Sequence, residues 1–162
     1  MKRKGSLLLL LAMLTLATGS QPQKARAGEC PSLREGQTVY VPAYSHIYFG
    51  NRERPFLLTV TLSIRNVDPV QPLSLTRIDY YATEGKLIRK YLDRPLTLGP
   101  LASIRYVVPQ KDEAGGSGAN FMVEWRAEKA VNPPLIESVM IGAESQQGIS
   151  FTSRGQEIVP PP

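Results

Sequence analysis

Fourteen prolines and thirteen glycines punctuate the 162 residues, and no interval between them carries a helical pattern of ordinary length. Proline inside a helix removes a hydrogen bond and collides with the preceding turn, and glycine there costs backbone entropy. What does fit between them is alternation of period two. Leu58, Val60, Leu62 and Ile64 alternate with Thr59, Thr61, Ser63 and Arg65, the cleanest such run in the chain. Phe121, Val123, Trp125 and Ala127 alternate in the same way with Met122, Glu124, Arg126 and Glu128. One apolar and one polar face marks a half-buried strand. Burying Trp125, the sole tryptophan, removes roughly 200 Å² from water, on the order of 5 kcal/mol before entropy is charged against it. Its strand is therefore expected to be central.

Other segments follow the same logic. Thr38 to Phe49 is interrupted by Pro42, which predicts an edge strand or a bulge. Leu75 to Thr83 places Ile78, Tyr80 and Ala82 inward and Arg77, Asp79 and Tyr81 outward. Glu84-Gly85 then offers a tight turn into Lys86 to Leu92, a β-hairpin. Ala102 to Val108, Leu135 to Ile141 and Ile149 to Thr152 complete the set. Short strands at such spacings, without helices, predict an all-β, antiparallel immunoglobulin-like β-sandwich of about seven to eight strands; a small β-barrel is the alternative.

Lys2, Arg3 and Lys4 precede an apolar run from Leu7, and Ala25-Arg26-Ala27 fits the small-x-small cleavage pattern. Residues 1–27 read as a secretory signal peptide, too short for a stable membrane span, and no later stretch is apolar enough to cross a bilayer. The expected location is periplasmic or secreted. Of the 19 Lys and Arg, five lie in residues 1–27 with no acid among them, which leaves 14 bases against 14 acids. The basic pI thus belongs to the signal, and the basic stripe that nucleic-acid binding needs is missing. Residues 28–36 are expected to be a flexible segment, 37–153 a single β domain, and 154–162 a disordered tail ending in Pro160, Pro161 and Pro162. Cys30 is the lone cysteine. A lipid anchor there wants a small residue just before it and Leu two places earlier, but those positions hold Glu29 and Ala27. It reads as an unpaired thiol.

Gly115-Gly116-Ser117-Gly118 invites chemical readings that its surroundings weaken. A phosphate cradle wants a following helix and a lysine, whereas a strand follows here. His46, Asp79 and Ser117 stand in one known triad order, yet the G-x-S-x-G elbow fails at Ala119. Glycines that supply positive φ to a hairpin loop are the simpler account. Asp112, Glu113, Ser117 and Asn120 offer oxygens that suit Ca²⁺ in type but match no calcium loop in spacing. One His, one Cys and Met122 and Met140 are too few for a soft-metal site. No metal site or cofactor is expected. Tyr44, His46 and Tyr48 share a parity and form a candidate aromatic strip for a protein or glycan; packing is its competing role.

Taken in order, Val39-Tyr40-Val41-Pro42-Ala43-Tyr44-Ser45, Leu62-Ser63-Ile64-Arg65-Asn66, Gly85-Lys86-Leu87, Gly115 to Phe121, Val123-Glu124-Trp125 and Gly148-Ile149-Ser150-Phe151 resemble an uncharacterised bacterial family of exported proteins, a domain of unknown function. The GGSGANF-x-VEW run is its most distinctive part. The resemblance implies one exported bacterial domain and assigns no site residue. The expected function is that of a non-enzymatic binding or adaptor module of the cell envelope. Its candidate surface comprises Tyr44, His46, Tyr48, Asp112, Ser117 and Asn120. The alternative is a periplasmic small-molecule or Ca²⁺ carrier.

Overall fold

The inward parity of each alternating run is the buried one. Leu58, Val60, Leu62 and Ile64 are each fully buried, as are Phe121, Val123 and Trp125. The computed structural model describes residues 32–48, 54–144 and 147–159. Among them run β1 (Arg34–Pro42), β2 (His46–Tyr48), β3 (Pro55–Leu57), β4 (Thr59–Arg65), β5 (Leu73–Tyr81) and β6 (Leu87–Lys90). These are followed by β7 (Leu96–Leu98), β8 (Ser103–Val108), β9 (Asn120–Val131), β10 (Leu135–Glu144), β11 (Gln147–Arg154) and β12 (Gln156–Ile158). Eight of these have four residues or more, and the others have three. No described residue is helical.

All pairings are antiparallel, and they form two main layers. One sheet has the order β12-β1-β9-β5, with β6 and β7 sharing the far edge of β5; the other has the order β11-β10-β4-β8. A small β2-β3 pair stands apart. Val41, Tyr80, Phe121 and Trp125 from the first sheet meet Leu62, Ile64 and Met140 from the second in one apolar cluster. The architecture is that of a β-sandwich, and no barrel closes. As expected, Trp125 lies on a central strand between β1 and β5, and its indole Nε1 donates to Gln37 Oε1 at 3.3 Å. A register shift between Leu75 and Arg77 resets parity along β5, so Leu75 and Ile78 both face inward.

Three expectations need correcting. Pro42 does not mark an edge: β1 runs between β12 and β9. The proline is tolerated because it is the last residue of β1 and β12 pairs only with Thr38 to Tyr40, so no ladder on that side asks for its missing N–H. Asp79 is buried, although it stands on the outer parity. Tyr81 donates to its carboxylate at 3.4 Å, and Arg77 lies 4.0 Å away. The ordered domain is also wider than 37–153, since β1 begins at Arg34 and β12 runs to Ile158. The crossing from β11 to β12 works at Gly155, whose N–H donates to the Ile136 carbonyl at 2.9 Å and where a side chain would strike Val39. The segment expected to be a signal peptide (1–27), Cys30, Phe49 and Pro160 to Pro162 lie outside the described residues.

One end of the sandwich is tied by a polar knot. Asn66 Nδ2 faces the carbonyls of Gln71, Leu98 and Gly99 at 2.9, 3.3 and 2.9 Å. The Asp68 carboxylate accepts from the N–H groups of Val70, Gln71 and Asn132 and from Asn132 Nδ2. The connections β4–β5, β7–β8 and β9–β10 are thereby held together. Those N–H groups, Gln71 foremost, favour the charged form and lower the Asp68 pKa to about 2.

Candidate functional site

The opposite end brings together the two candidate stretches, which lie far apart in the sequence. Pairing of β1 with β9 sets Val41 against Phe121 and Pro42 against Asn120, so the chain leaving β1 runs beside the chain arriving at β9. Ala43 N–H donates to the Ala119 carbonyl at 2.8 Å, and Ser45 N–H to that of Gly116 at 3.0 Å. Beneath this seam the Ser45 and Tyr80 hydroxyls lie 2.9 Å apart, fully buried. Gly115 packs directly over both, with no room for a Cβ.

Thr83, just beyond β5, fastens the loop from the other side. Its N–H and hydroxyl donate to the Gly115 carbonyl at 2.9 and 3.0 Å, while its Oγ1 accepts from Gly118 N–H at 2.9 Å. Gly116 has the expected positive φ, +75°, but the loop is not a hairpin: it crosses from β8 of one sheet to β9 of the other, whereas Gly85 turns the β5–β6 hairpin at φ +79°.

Asp112 starts the loop with Oδ1 accepting from Ala114 N–H at 3.3 Å and Oδ2 3.3 Å from an Arg89 guanidinium nitrogen. Arg89 also sits over the Tyr91 ring, 5.6 Å from its centroid. Tyr91 in turn packs on Tyr106 and Phe121, with centroids 4.8 and 6.1 Å away. Burial pushes the Tyr80, Tyr91 and Tyr106 hydroxyls above the ordinary phenol range, because a phenolate there would lose its water.

The aromatic strip divides in two. Tyr44 is half-buried and meets Phe151 edge-on at 5.8 Å, so it belongs to the packing between strands. His46 and Tyr48 sit on β2, with their rings edge-to-face at 5.4 Å. His46 Nδ1 is buried without a hydrogen-bond partner, and Tyr48 is 57% exposed. Ser117 is half-buried in the loop, and Asn120 is a β9 residue in register with both Pro42 and Tyr81.

The triad order is not matched by triad contacts. The Asp79 carboxylate faces Tyr81 and Arg77, and His46 Nδ1 faces neither it nor a serine. No three or more His, Cys, Asp or Glu side chains cluster as metal ligands among the described residues. Arg89 neutralises Asp112, which lowers that carboxylate's attraction for a cation.

The residues that sequence reasoning passed over are the ones that fasten this end: Ser45, Tyr80, Thr83 and Arg89. Their contacts span 32 or more positions for the Ser45, Thr83 and Tyr80 bonds, so no local pattern could display them. The fold and this end together define an all-β sandwich with a braced loop surface. The chain belongs to the family described as "Protein of unknown function (DUF3124)", which matches residues 36–158. No curated protein matches it. The crystal structure of Thermotoga maritima 1070 aligns with a TM-score of 0.44 at 13% identity, over 74% of this chain and 92% of that one. No described helix is long and apolar enough to cross a membrane.

Proposed function

We propose that the chain is an exported, non-enzymatic binding or adaptor module of the bacterial cell envelope. Its recognition surface is the braced end, where His46, Tyr48, Asp112 and Ser117 face a protein or glycan partner. One observation carries this reading: a buried Ser45–Tyr80–Gly115 contact holds the loop, while Tyr48 stands outward beside His46. An aromatic anchor presented on a braced support loses little freedom on binding, and that is where affinity is usually concentrated. Export rests on the basic, apolar and small-residue pattern of residues 1–27.

The test is crosslinking of the native chain in its envelope, alongside Tyr48→Ala and His46→Ala variants with unchanged melting. Loss of a specific adduct in the variants supports the surface; an identical adduct pattern removes it. A denaturing mass of the exported chain checks cleavage after Ala27 and the state of Cys30. The Ca²⁺-carrier alternative requires Asp112 to leave Arg89. A thermal midpoint unmoved by calcium would dispose of it, since a ligand specific for the folded state must stabilise that state.

A further inference from the structure

The outer face of the second sheet carries a charge arrangement that the loop end does not explain. In the β4–β8 pairing, Arg65 stands opposite Ser103 and Arg105 stands opposite Ser63. All four point outward, because Leu62, Ile64 and Val108 on the other parity are fully buried. The two arginines thus occupy opposite corners of a square, with serines at the other two. Diagonal neighbours on one sheet face lie about 7–8 Å apart, well within reach of two guanidinium arms. Neither arginine is ion-paired with a carboxylate among the described residues. The acid on this face, Glu137, stands beyond Ser63 and in register with a third arginine, Arg154.

Between the corners lies a cleft of about 280 Å³, also lined by Thr61 and Val139. Its floor is Ser63, 9% exposed, whose Oγ accepts from Arg65 Nε at 3.2 Å. That bond lays one guanidinium across the cleft. Two like charges side by side repel and weaken a sheet. An anion between them would turn that repulsion into paired, charge-assisted hydrogen bonds, for which the guanidinium fork is suited. The cleft is larger than a single tetrahedral ion needs, and beside the arginines it offers the hydroxyls of Thr61, Ser63 and Ser103 together with the apolar side chains of Ile104 and Val139.

We propose that this cleft binds a tetrahedral oxyanion, phosphate or sulfate, carried on a hydroxylated small molecule such as a sugar. The site is independent of the braced loop end, and either can fail without the other.

The test is amide chemical-shift titration of the folded domain with inorganic phosphate, inorganic sulfate and glucose 6-phosphate, at ionic strength held constant with sodium chloride. Saturable shifts confined to Ser63, Arg65, Ser103 and Arg105, with glucose 6-phosphate tighter than either free ion, are expected. Arg105→Gln should weaken binding roughly tenfold and Arg105→Lys by less, since lysine keeps the charge but loses the fork. Both variants alter an exposed side chain, and unchanged shifts elsewhere would certify the fold. Absence of saturable shifts with all three probes, or equal affinity in Arg105→Gln, overturns the site. Equal affinity for inorganic phosphate and glucose 6-phosphate overturns the sugar part and leaves a free-anion site.

Discussion

Ser45 Oγ and Tyr80 Oη lie 2.9 Å apart in the fully buried interior, joining the segment after β1 to β5 of the first sheet. A buried hydroxyl left without its partner costs more than a hydrogen bond gains, whereas removing both partners can be nearly neutral. Ser45→Ala and Tyr80→Phe are each expected to destabilise by about 1–2 kcal/mol. The double variant should lose clearly less than the sum. Urea unfolding of the four proteins closes the cycle, and strict additivity would mean that the two hydroxyls do not depend on each other.

Gly115 and Gly85 separate two reasons for glycine. At Gly115 a methyl group would run into the Tyr80 hydroxyl, Ser45 Oγ and Ala119. At Gly85 the space is open and only φ +79° is at stake. Gly115→Ala should cost about 3 kcal/mol through overpacking, and Gly85→Ala about 1–2 kcal/mol through left-handed backbone strain alone. Thermal melts of the two variants should rank them in that order.

Much of the fold was legible because burial follows parity. The runs at Leu58–Ile64 and Phe121–Trp125 each name their own inner face, and Glu84-Gly85 names its own turn. The meeting of Ser45 with Gly115 was not legible, because it depends on the register of β1 against β9 across most of the domain. Asn66 and Asp68 are residue types common in turns, but here their side chains reach three separate loops. The Arg65–Arg105 square was hidden for a related reason. Each arginine looks ordinary on its own strand, and only the β4–β8 register makes them neighbours.

Asp68 sets an acid limb. Its pKa is depressed to about 2 in the folded chain. A depressed carboxylate contributes stability that is present above its ordinary pKa and lost as pH falls through the folded value. Stability should therefore decline between about pH 4 and pH 2. In Asp68→Asn that part of the decline should be missing, with lower stability at neutral pH. Urea midpoints measured across this range check both features.

Buried Tyr80 and the partly buried Tyr91 and Tyr106 set the opposite limb. Desolvation raises the pKa of Tyr80, Tyr91 and Tyr106, so each favours the neutral, folded form. That contribution is intact below the ordinary phenol value near 10 and fades as pH climbs through the raised values. Phenolate absorbance from the fully buried Tyr80 should appear only together with unfolding. Tyr91→Phe should remove part of the alkaline decline.

The pairing of β1 with β9 and β12 also constrains how the chain acquires its structure. Thr38 takes Glu124 on one side and Ile158 on the other, so the first strand finds both neighbours only in the distal half of the sequence. Loops of that length must close before any contact rewards them, which makes such pairings slow and late. A chain lengthening from its N-terminus leaves β1 without its first neighbour until Asn120–Val131 arrive, and without its second until Gln156–Ile158 follow. Completion of this sheet therefore waits for β12, and a chain halted short of β9 would present an unpaired apolar strand to any holdase or protease nearby.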